Sequence, residues 1–205
     1  NREAATGKIN VAVILLRHLS NFTDFNVLER DERVHLYYTD NVDDITKADI
    51  ILLPGSKNTL DDLYELRRNG VAQAILKASQ EGATVMGICG GYQMMGLEVR
   101  DPEGVEGNVR MLPGLGLLPV ITTMQGDKVT RQVEFTFDGT EALCKGYEIH
   151  MGRTVPAEGS PPSPFNQLAD GREDGYQDKQ KKCLGTYIPV SYTHLRAHET
   201  LANLV

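Results

Sequence analysis

The sequence predicts an α/β fold, namely a doubly wound, mostly parallel β-sheet with added β-strands in the second half. In the first half, short apolar segments of strand length alternate with segments whose apolar residues recur at helical spacing. That alternation is typical of a parallel sheet covered by helices. In the second half, β-branched segments follow one another with turns between them, which favours further strands.

Three strands are predicted in the first half. Residues 9–16 form a β-branched apolar run, the pattern of a strand buried on both faces. Residues 33–38 and 49–53 are predicted as the second and third strands. Between the first two strands, Ser20 is a candidate N-cap for a short helix.

Two helices are predicted after the third strand. A Pro-Gly-Ser-Lys-Asn-Thr turn ends that strand, and Asn58 or Thr59 can cap the helix that follows. The apolar positions of this helix recur at helical spacing, at Leu60, Leu63 and Leu66. A second helix is expected over about residues 71–80.

The second half is predicted to be mainly strands and loops. Residues 115–123, 128–137 and 145–150 have the composition of strands, and a Gln-Gly-Asp turn separates the first two. Residues 155–181 are rich in proline, glycine and charge, and we predict a long surface loop there. Residues 183–188 are predicted as the last strand.

A cysteine flanked by glycines follows the apolar segment 83–86. Gly87 and Gly91 lie two residues before and after Cys89, the spacing of a nucleophile elbow between a strand and a helix. Glycines are needed there because the nucleophile's backbone is strained and closely packed. The first amides of the helix can lower the pKa of the thiol and stabilise an oxyanion. We predict a nucleophile, against the alternative of a small core cysteine.

Composition limits the function classes. The 205 residues fit one large domain, and the net charge of −7 without a basic block argues against a nucleic-acid partner. The three cysteines form no CxxC pair, so neither a metal site nor a disulfide framework is predicted, and a reducing, cytoplasmic setting fits best. No apolar segment reaches the length of a membrane helix, and the N-terminus is not a signal peptide, so no membrane partner is expected.

Four segments in order resemble one family, at residues 20–25, 53–59, 87–93 and 146–152. They read S-N-F-T-D-F, L-P-G-S-K-N-T, G-I-C-G-G-Y-Q and G-Y-E-I-H-M-G. Together they resemble the C-terminal, class I glutamine amidotransferase domain of the cobyric and cobyrinic acid synthases, and the first two favour cobyric acid synthase. The resemblance covers roughly residues 8–188, with residues 1–8 expected to be a linker remnant.

The resemblance implies a reaction and its partners. In the family a cysteine attacks the side-chain amide of glutamine and releases ammonia. The ammonia passes to an N-terminal ATP-dependent synthetase domain, which amidates carboxylates of a corrinoid acid during cobalamin biosynthesis. This sequence contains no G-x-x-x-x-G-K-[ST] phosphate loop, so ATP and magnesium would be used by the absent synthetase domain, and no cofactor is expected in this one.

The resemblance also implies site residues. Cys89 would form a glutamyl thioester, and the amides of Gly90 and Gly55 would stabilise the oxyanion. Gly55 alone would pass as an ordinary turn glycine. Gln93 and Ser56 are expected near the bound glutamine, although Gln93 could equally be a solvated helix residue.

Three further residues come from the G-Y-E-I-H-M-G motif. Tyr147, Glu148 and His150 are expected to shape the site or an interface. A lone histidine at the end of a strand is more often structural than catalytic, so His150 is not predicted to be the base.

The expected base is missing. The family has a histidine directly after the last strand, and here residues 185–188 are followed by Pro189. We therefore interpret residues 9–188 as a C-terminally truncated amidotransferase domain and residues 189–205 as a non-family tail, artefactual or disordered, and we expect the chain to be inactive. An alternative is a divergent end in which His194 or His198 serves as base.

Two other functions are alternatives. A cysteine peptidase or chaperone-like hydrolase on the same elbow would present a histidine soon after the nucleophile, and residues 90–110 contain none. A non-catalytic pseudo-amidotransferase that docks a synthetase partner would be compatible with the missing base.

Overall fold

The structure is a computed structural model that describes residues 7–20, 25–137, 141 and 143–189. Several predictions fall outside the described residues. These are most of the linker (1–6), part of the first motif (21–24) and the tail from residue 190, including His194 and His198.

The predicted parallel sheet is present. Its strands are β1 (Ile9–Ile14), β2 (Val34–Thr39), β3 (Ile50–Leu53), β4 (Thr84–Ile88), β11 (Tyr176–Asp178) and β12 (Cys183–Thr186). Their order is β11-β12-β4-β3-β1-β2. Within the described residues all neighbouring pairs of this sheet are parallel except β11 with β12. The carboxyl ends of β3, β4 and β12 therefore lie side by side.

Helices pack on this sheet. They are α1 (Asn26–Glu29), α2 (Val42–Thr46), α3 (Thr59–Arg68), α4 (Val71–Gln80) and α5 (Gly90–Met95). The predicted cap of α3 is confirmed, since the Asn58 side chain accepts a hydrogen bond from the amide of Asp61. The predicted apolar stripe of α3 is also buried, at Leu60, Leu63 and Leu66.

The predicted capping role of Ser20 is wrong. Helix α1 begins at Asn26, with Phe25 at its N-cap position. The backbone amide of Ser20 instead donates to the carbonyl of Gly55 at 2.9 Å, so this residue tethers the turn after β3. Helix α2 was not predicted, although Asn41 caps it through two backbone amides.

A second, mainly antiparallel sheet follows α5. Its strands are β5 (Glu98–Arg100), β6 (Met111–Pro113), β7 (Val120–Phe137), β8 (Cys144–Pro156), β9 (Asn166–Leu168) and β10 (Glu173–Asp174). The two strands predicted at 115–123 and 128–137 are one strand, β7. A shift in its pairing with β8 lies between Thr123 and Lys128, where a turn was expected.

The surface loop predicted at 155–181 is only partly a loop. It contains β9, β10 and β11, which pair with β7, β9 and β12. Asp174, which lies within it, is only 6% exposed. Partners distant in sequence supply these pairings, and local composition does not reveal them.

Candidate active site

Cys89 lies between β4 and α5, as predicted. Its backbone has φ 52° and ψ −113°, a left-handed conformation that is rare for a residue with a side chain. Its amide donates to the carbonyl of Thr186 at 2.9 Å, which ties it to the neighbouring strand β12.

The flanking glycines are required by packing. A Cβ added to Gly91 would lie 2.0 Å from the carbonyl oxygen of Leu53, and one added to Gly87 would lie 2.7 Å from the carbonyl carbon of Gly91. Both distances are far inside van der Waals contact. The elbow therefore brings α5 directly against the ends of β3 and β4.

The Cys89 thiol is buried and neutral. It is 7% exposed, and its sulfur lies 3.7 Å from the carbonyl oxygen of Tyr187. Burial, with a smaller contribution from the charge of Asp174, raises the pKa of the thiol to about 12. The net shift is therefore opposite in direction to the lowering expected from the helix amides, and loss of hydration is its largest cause. A group that accepts the thiol proton is needed before the sulfur can attack.

The turn after β3 lies beside Cys89. A Cβ added to Gly55 would be 3.8 Å from the Cβ of Cys89, and one added to Gly90 would be 2.9 Å from the amide nitrogen of Ser56. Gly55 and Gly90, the two glycines predicted to supply oxyanion amides, thus lie close together. Gly55 lies next to Cys89, and Gly90 lies against the turn that contains Gly55. The role of their amides in stabilising an oxyanion stays a prediction.

The Ser56 side chain faces α3. Its hydroxyl donates to the buried carboxylate of Asp62 at 2.5 Å and accepts from the amide of Asn58 at 3.0 Å. These bonds fix the turn. A contact between Ser56 and glutamine stays a prediction.

Gln93 is 2% exposed, so the alternative of a solvated helix residue is wrong. Its Oε1 accepts from the Thr59 hydroxyl at 3.1 Å. Its Nε2 donates to the Met151 carbonyl at 2.9 Å and to the Tyr187 hydroxyl at 3.2 Å. Gln93 therefore joins α5 to α3, to β8 and to the residue after β12.

Glu148 and His150 form a hydrogen-bonded pair at the edge of the site. The Nε2 of His150 lies 3.0 Å from Oε1 of Glu148, and its Nδ1 lies 2.7 Å from the Gly152 carbonyl. Both ring nitrogens of His150 therefore lie within hydrogen-bond distance of an oxygen atom. The ring also packs on Tyr187, with centroids 4.3 Å apart. His150 is thus engaged on both sides, and its expected role in shaping the site stays a prediction.

Arg172 completes this cluster. Its Nη1 donates to Oε1 of Glu148 at 3.2 Å, and its Nη2 approaches Oε2 at 3.0 Å without hydrogen-bond alignment. The hydrogen bond from His150, and then that from Arg172, lowers the pKa of Glu148 to about 2. Tyr147 is not part of the cluster, since it is 40% exposed and its hydroxyl accepts from Gln132 at 3.3 Å.

The sequence profile of the CobB/CobQ-like glutamine amidotransferase domain matches residues 10–196. The chain belongs to this family. It is 72% identical over 186 residues to a cobyric acid synthase of Phocaeicola vulgatus, covering 91% of this chain and 37% of the relative. It is 56% identical over 190 residues to the Parabacteroides distasonis cobyric acid synthase, covering 92% and 38%. The chain therefore spans little more than a third of these curated relatives.

Solved structures confirm the fold of this amidotransferase domain. PurLQS from Thermotoga maritima superposes with a TM-score of 0.68 at 17% identity, over 96% of this chain and 95% of that one. A protein described as a glutamine amidotransferase gives 0.66 at 16% identity, over 95% and 97%. The predicted class I amidotransferase-like fold is thus confirmed, and family membership disfavours the peptidase and hydrolase alternatives.

Strand β12 ends at Thr186, earlier than the predicted end at residue 188, and Pro189 is buried in the segment that follows it and carries no titratable side chain. The family match runs to residue 196, beyond the Ile188 at which the recognisable motifs end, and includes His194, which lies outside the described residues. Of the other histidines, His18 contacts Asp61 at 2.5 Å and His35 packs on Tyr37.

Two properties concern the described ranges only. Residues 7–20, 25–137, 141 and 143–189 contain no cluster of three His, Cys, Asp or Glu side chains that could hold a metal ion. In the same part of the amidotransferase domain, no helix has the length and apolarity needed to span a membrane.

Sequence reasoning missed Asp174 and Tyr187. Asp174 interacts electrostatically with Cys89 from a segment predicted to be a surface loop. Tyr187 contacts Cys89 through its carbonyl and Gln93 through its hydroxyl. The Gly-Thr-Tyr-Ile motif was a signal for Tyr187, whereas nothing local distinguishes Asp174 from its charged neighbours.

Proposed function

We propose that this domain is the glutaminase part of a cobyric acid synthase. It would release ammonia from glutamine for the ATP-dependent amidation of a corrinoid acid in cobalamin biosynthesis, in the cytoplasm. The high identity to relatives of that name supports this proposal. The observation that carries it is the left-handed backbone of Cys89 on a glycine-flanked elbow beside the Gly55 turn. ATP, magnesium and the corrinoid acid would bind to a synthetase domain of the same polypeptide.

The proposed mechanism uses Cys89 as the nucleophile. Its thiolate attacks the carbonyl carbon of the glutamine side chain, and the amides of Gly55 and Gly90 stabilise the oxyanion. Each such donor typically contributes about 2.7–4 kcal/mol to the lowering of the barrier. The C–N bond then breaks, and the nitrogen leaves as ammonia with the proton that a base took from the thiol. Water hydrolyses the thioester to glutamate and regenerates the thiol.

The remaining site residues have supporting roles in this proposal. Gln93 and Ser56 shape the glutamine pocket, and Gln93 does so as the buried link between α3, α5 and β8. Glu148 and His150 hold the β8 side of the site, while Tyr147 is left for an interface.

The proposed limit on activity is the base. A buried thiol with a pKa of about 12 yields almost no thiolate near neutral pH without a proton acceptor. Pro189 occupies the position where the family has histidine. The 205-residue chain is therefore proposed to release little or no ammonia.

A glutaminase assay tests both parts of the proposal. The unmodified chain is compared with Pro189→His and with Pro189→His combined with Cys89→Ser. We expect background release from the first, a gain in the second and its loss in the third. Ammonia release by the unmodified chain that disappears in His194→Ala would overturn the missing-base proposal.

Covalent labelling tests the amidotransferase role itself. The glutamine-derived electrophile 6-diazo-5-oxonorleucine is expected to label Cys89 in Pro189→His, as detected by peptide mass spectrometry. A Pro189→His variant that folds but neither binds this reagent nor releases ammonia would favour a non-catalytic docking module.

A further inference from the structure

Asp174 is a buried carboxylate whose role the proposed mechanism does not explain. It lies at the end of β10 and is 6% exposed. Its Oδ2 accepts from the side-chain amide of Asn166 at 2.9 Å and from the hydroxyl of Thr186 at 2.5 Å. Its Oδ1 accepts from the backbone amide of Tyr187 at 3.0 Å. Burying a carboxylate is costly unless such hydrogen bonds compensate it.

These hydrogen bonds fix the chain just after β12. Asp174 holds the amide of Tyr187 directly. It holds the amide of Ile188 through the hydroxyl of Thr186, because that amide donates to the Thr186 hydroxyl at 2.9 Å. One carboxylate therefore determines the path of three consecutive residues.

The same three-residue segment forms one wall of the elbow. The Thr186 carbonyl accepts from the amide of Cys89 at 2.9 Å, and the Tyr187 carbonyl lies 3.7 Å from the Cys89 sulfur. The Tyr187 carbonyl also accepts from the amide of Ile149 at 3.0 Å, which anchors it to β8. The peptide groups that contact Cys89 are thus those whose orientation Asp174 sets.

The chain around Asp174 is built for a close approach. Gly175 has φ 78°, and a Cβ there would lie 2.2 Å from the carbonyl oxygen of Gly185 in β12. Any other residue at 175 would push this segment away from the strand. The glycine lets the backbone pass near enough for Asp174 to reach under the end of β12.

We propose that Asp174 is a positioning residue for Cys89. Through its hydrogen bonds to Thr186 and Tyr187 it holds the backbone carbonyls that contact Cys89 at the strained elbow. The assignment rests on the proposed nucleophilic role of Cys89. It concerns only residues that the structure describes and does not depend on the identity of the base.

The surroundings define what a test must hold constant. Burial, and after it the carboxylate of Asp174, raises the pKa of the Cys89 thiol, and burial also raises the pKa of Asp174 itself. The phenol of Tyr187 interacts with both Cys89 and Asp174, and Glu148 acts on Asp174 from β8. These neighbours are left unchanged in the variants below.

The test is the pH dependence of Cys89 alkylation by iodoacetamide in the full chain, followed on the Cys89 peptide by mass spectrometry. It needs no glutamine, so its failure is distinct from a failure of the proposed glutaminase. Asp174→Asn removes the charge and keeps an acceptor for the Tyr187 amide. Thr186→Val keeps the charge and removes the hydroxyl link. Glu173→Gln, at the exposed neighbouring residue of β10, is the matched control.

In Asp174→Asn we expect Cys89 to react at least about threefold faster at a fixed pH below the midpoint, as for a midpoint about half a unit lower. In Thr186→Val we expect a similar rise in the rate of Cys89 alkylation at high pH, because the segment 186–188 that packs against Cys89 is held less firmly. Glu173→Gln should match the wild type. If the first two variants are less stable but alkylate Cys89 with wild-type midpoint and rate, Asp174 is merely structural and the proposal is wrong. If Asp174→Asn does not fold, the isosteric Thr186→Val decides the question.

Discussion

The side-chain amide of Gln93 donates to the hydroxyl of Tyr187 across 3.2 Å, in the interior of the domain. The same nitrogen donates to the carbonyl of Met151, and the oxygen of this side-chain amide accepts from the hydroxyl of Thr59. The Tyr187 hydroxyl is also hydrogen-bonded to that of Thr154. The helix after the nucleophile is therefore tied to three other elements through one side chain.

Gln93→Leu is expected to destabilise the protein by about 2 kcal/mol or more, because it leaves buried partners such as the Met151 carbonyl unpaired. The free energy of unfolding in urea measures the loss. Gln132→Leu, at an exposed position on β7, is the control and is expected to change stability by no more than about 0.5 kcal/mol. Equal effects of the two substitutions would contradict the network described for Gln93.

Gly91→Ala is expected to cost about 3 kcal/mol or more, since its Cβ would lie 2.0 Å from the carbonyl oxygen of Leu53 and both groups are held by secondary structure. The matched control is Gly126→Ala, where an added Cβ meets nothing within 4 Å. Thermal unfolding of the two variants gives the comparison. A Gly91→Ala protein as stable as Gly126→Ala would show that α5 does not pack on β3 as described.

The sequence predictions were accurate where the interactions that determine the structure join residues close together in the chain. The strands at 9–16 and 49–53 were predictable because continuous β-branched runs have few other uses in a small α/β domain. Strand β7 was predicted as two strands because Gly126 and its polar neighbours resemble a turn. Its pairing with β8 on both sides of the irregularity keeps the strand continuous. Helix α2 is only five residues long and gave too short a pattern.

The site divides in the same way. The elbow around Cys89 was predictable because its steric demands fall on Gly87 and Gly91, which are near it in sequence. The direction of the shift in the thiol pKa was not predictable, because desolvation depends on how many distant segments cover the sulfur. Asp174 was missed for a similar reason, since its partners at 186 and 187 become neighbours only when β11 pairs with β12.

Glu148→Gln is expected to lower stability in a pH-dependent way. The pKa of Glu148 is depressed from 4.5 to about 2, first by the hydrogen bond with His150. A depressed carboxylate pKa contributes stability that is present above 4.5 and is lost as the pH falls towards 2. We expect the free energy of unfolding of the variant to be about 2 kcal/mol below that of the wild type at pH 6. This difference should shrink between pH 4.5 and 2. Urea unfolding at several pH values measures this.

The control for that series is Glu134→Gln, which alters an exposed carboxylate on the neighbouring strand β7. Its stability is expected to stay within about 0.5 kcal/mol of the wild type at each pH. A Glu148→Gln deficit that stays constant down to pH 2 would mean that the charge of Glu148 contributes nothing to the cluster with His150 and Arg172.

Asn58→Ala removes the N-cap of α3 and is expected to cost about 1 kcal/mol of stability. Asn41→Ala removes the corresponding cap of the peripheral helix α2, with a similar expected cost.

The two variants should differ at Cys89. The first turn of α3 lies against the elbow, since a Cβ on Gly90 would be 2.9 Å from the Thr59 hydroxyl oxygen. Fraying of α3 therefore loosens the turn that faces the thiol, whereas fraying of α2 does not. We expect faster iodoacetamide alkylation of Cys89 in Asn58→Ala than in Asn41→Ala at matched stability. Equal rates would mean that the start of α3 does not constrain the nucleophile.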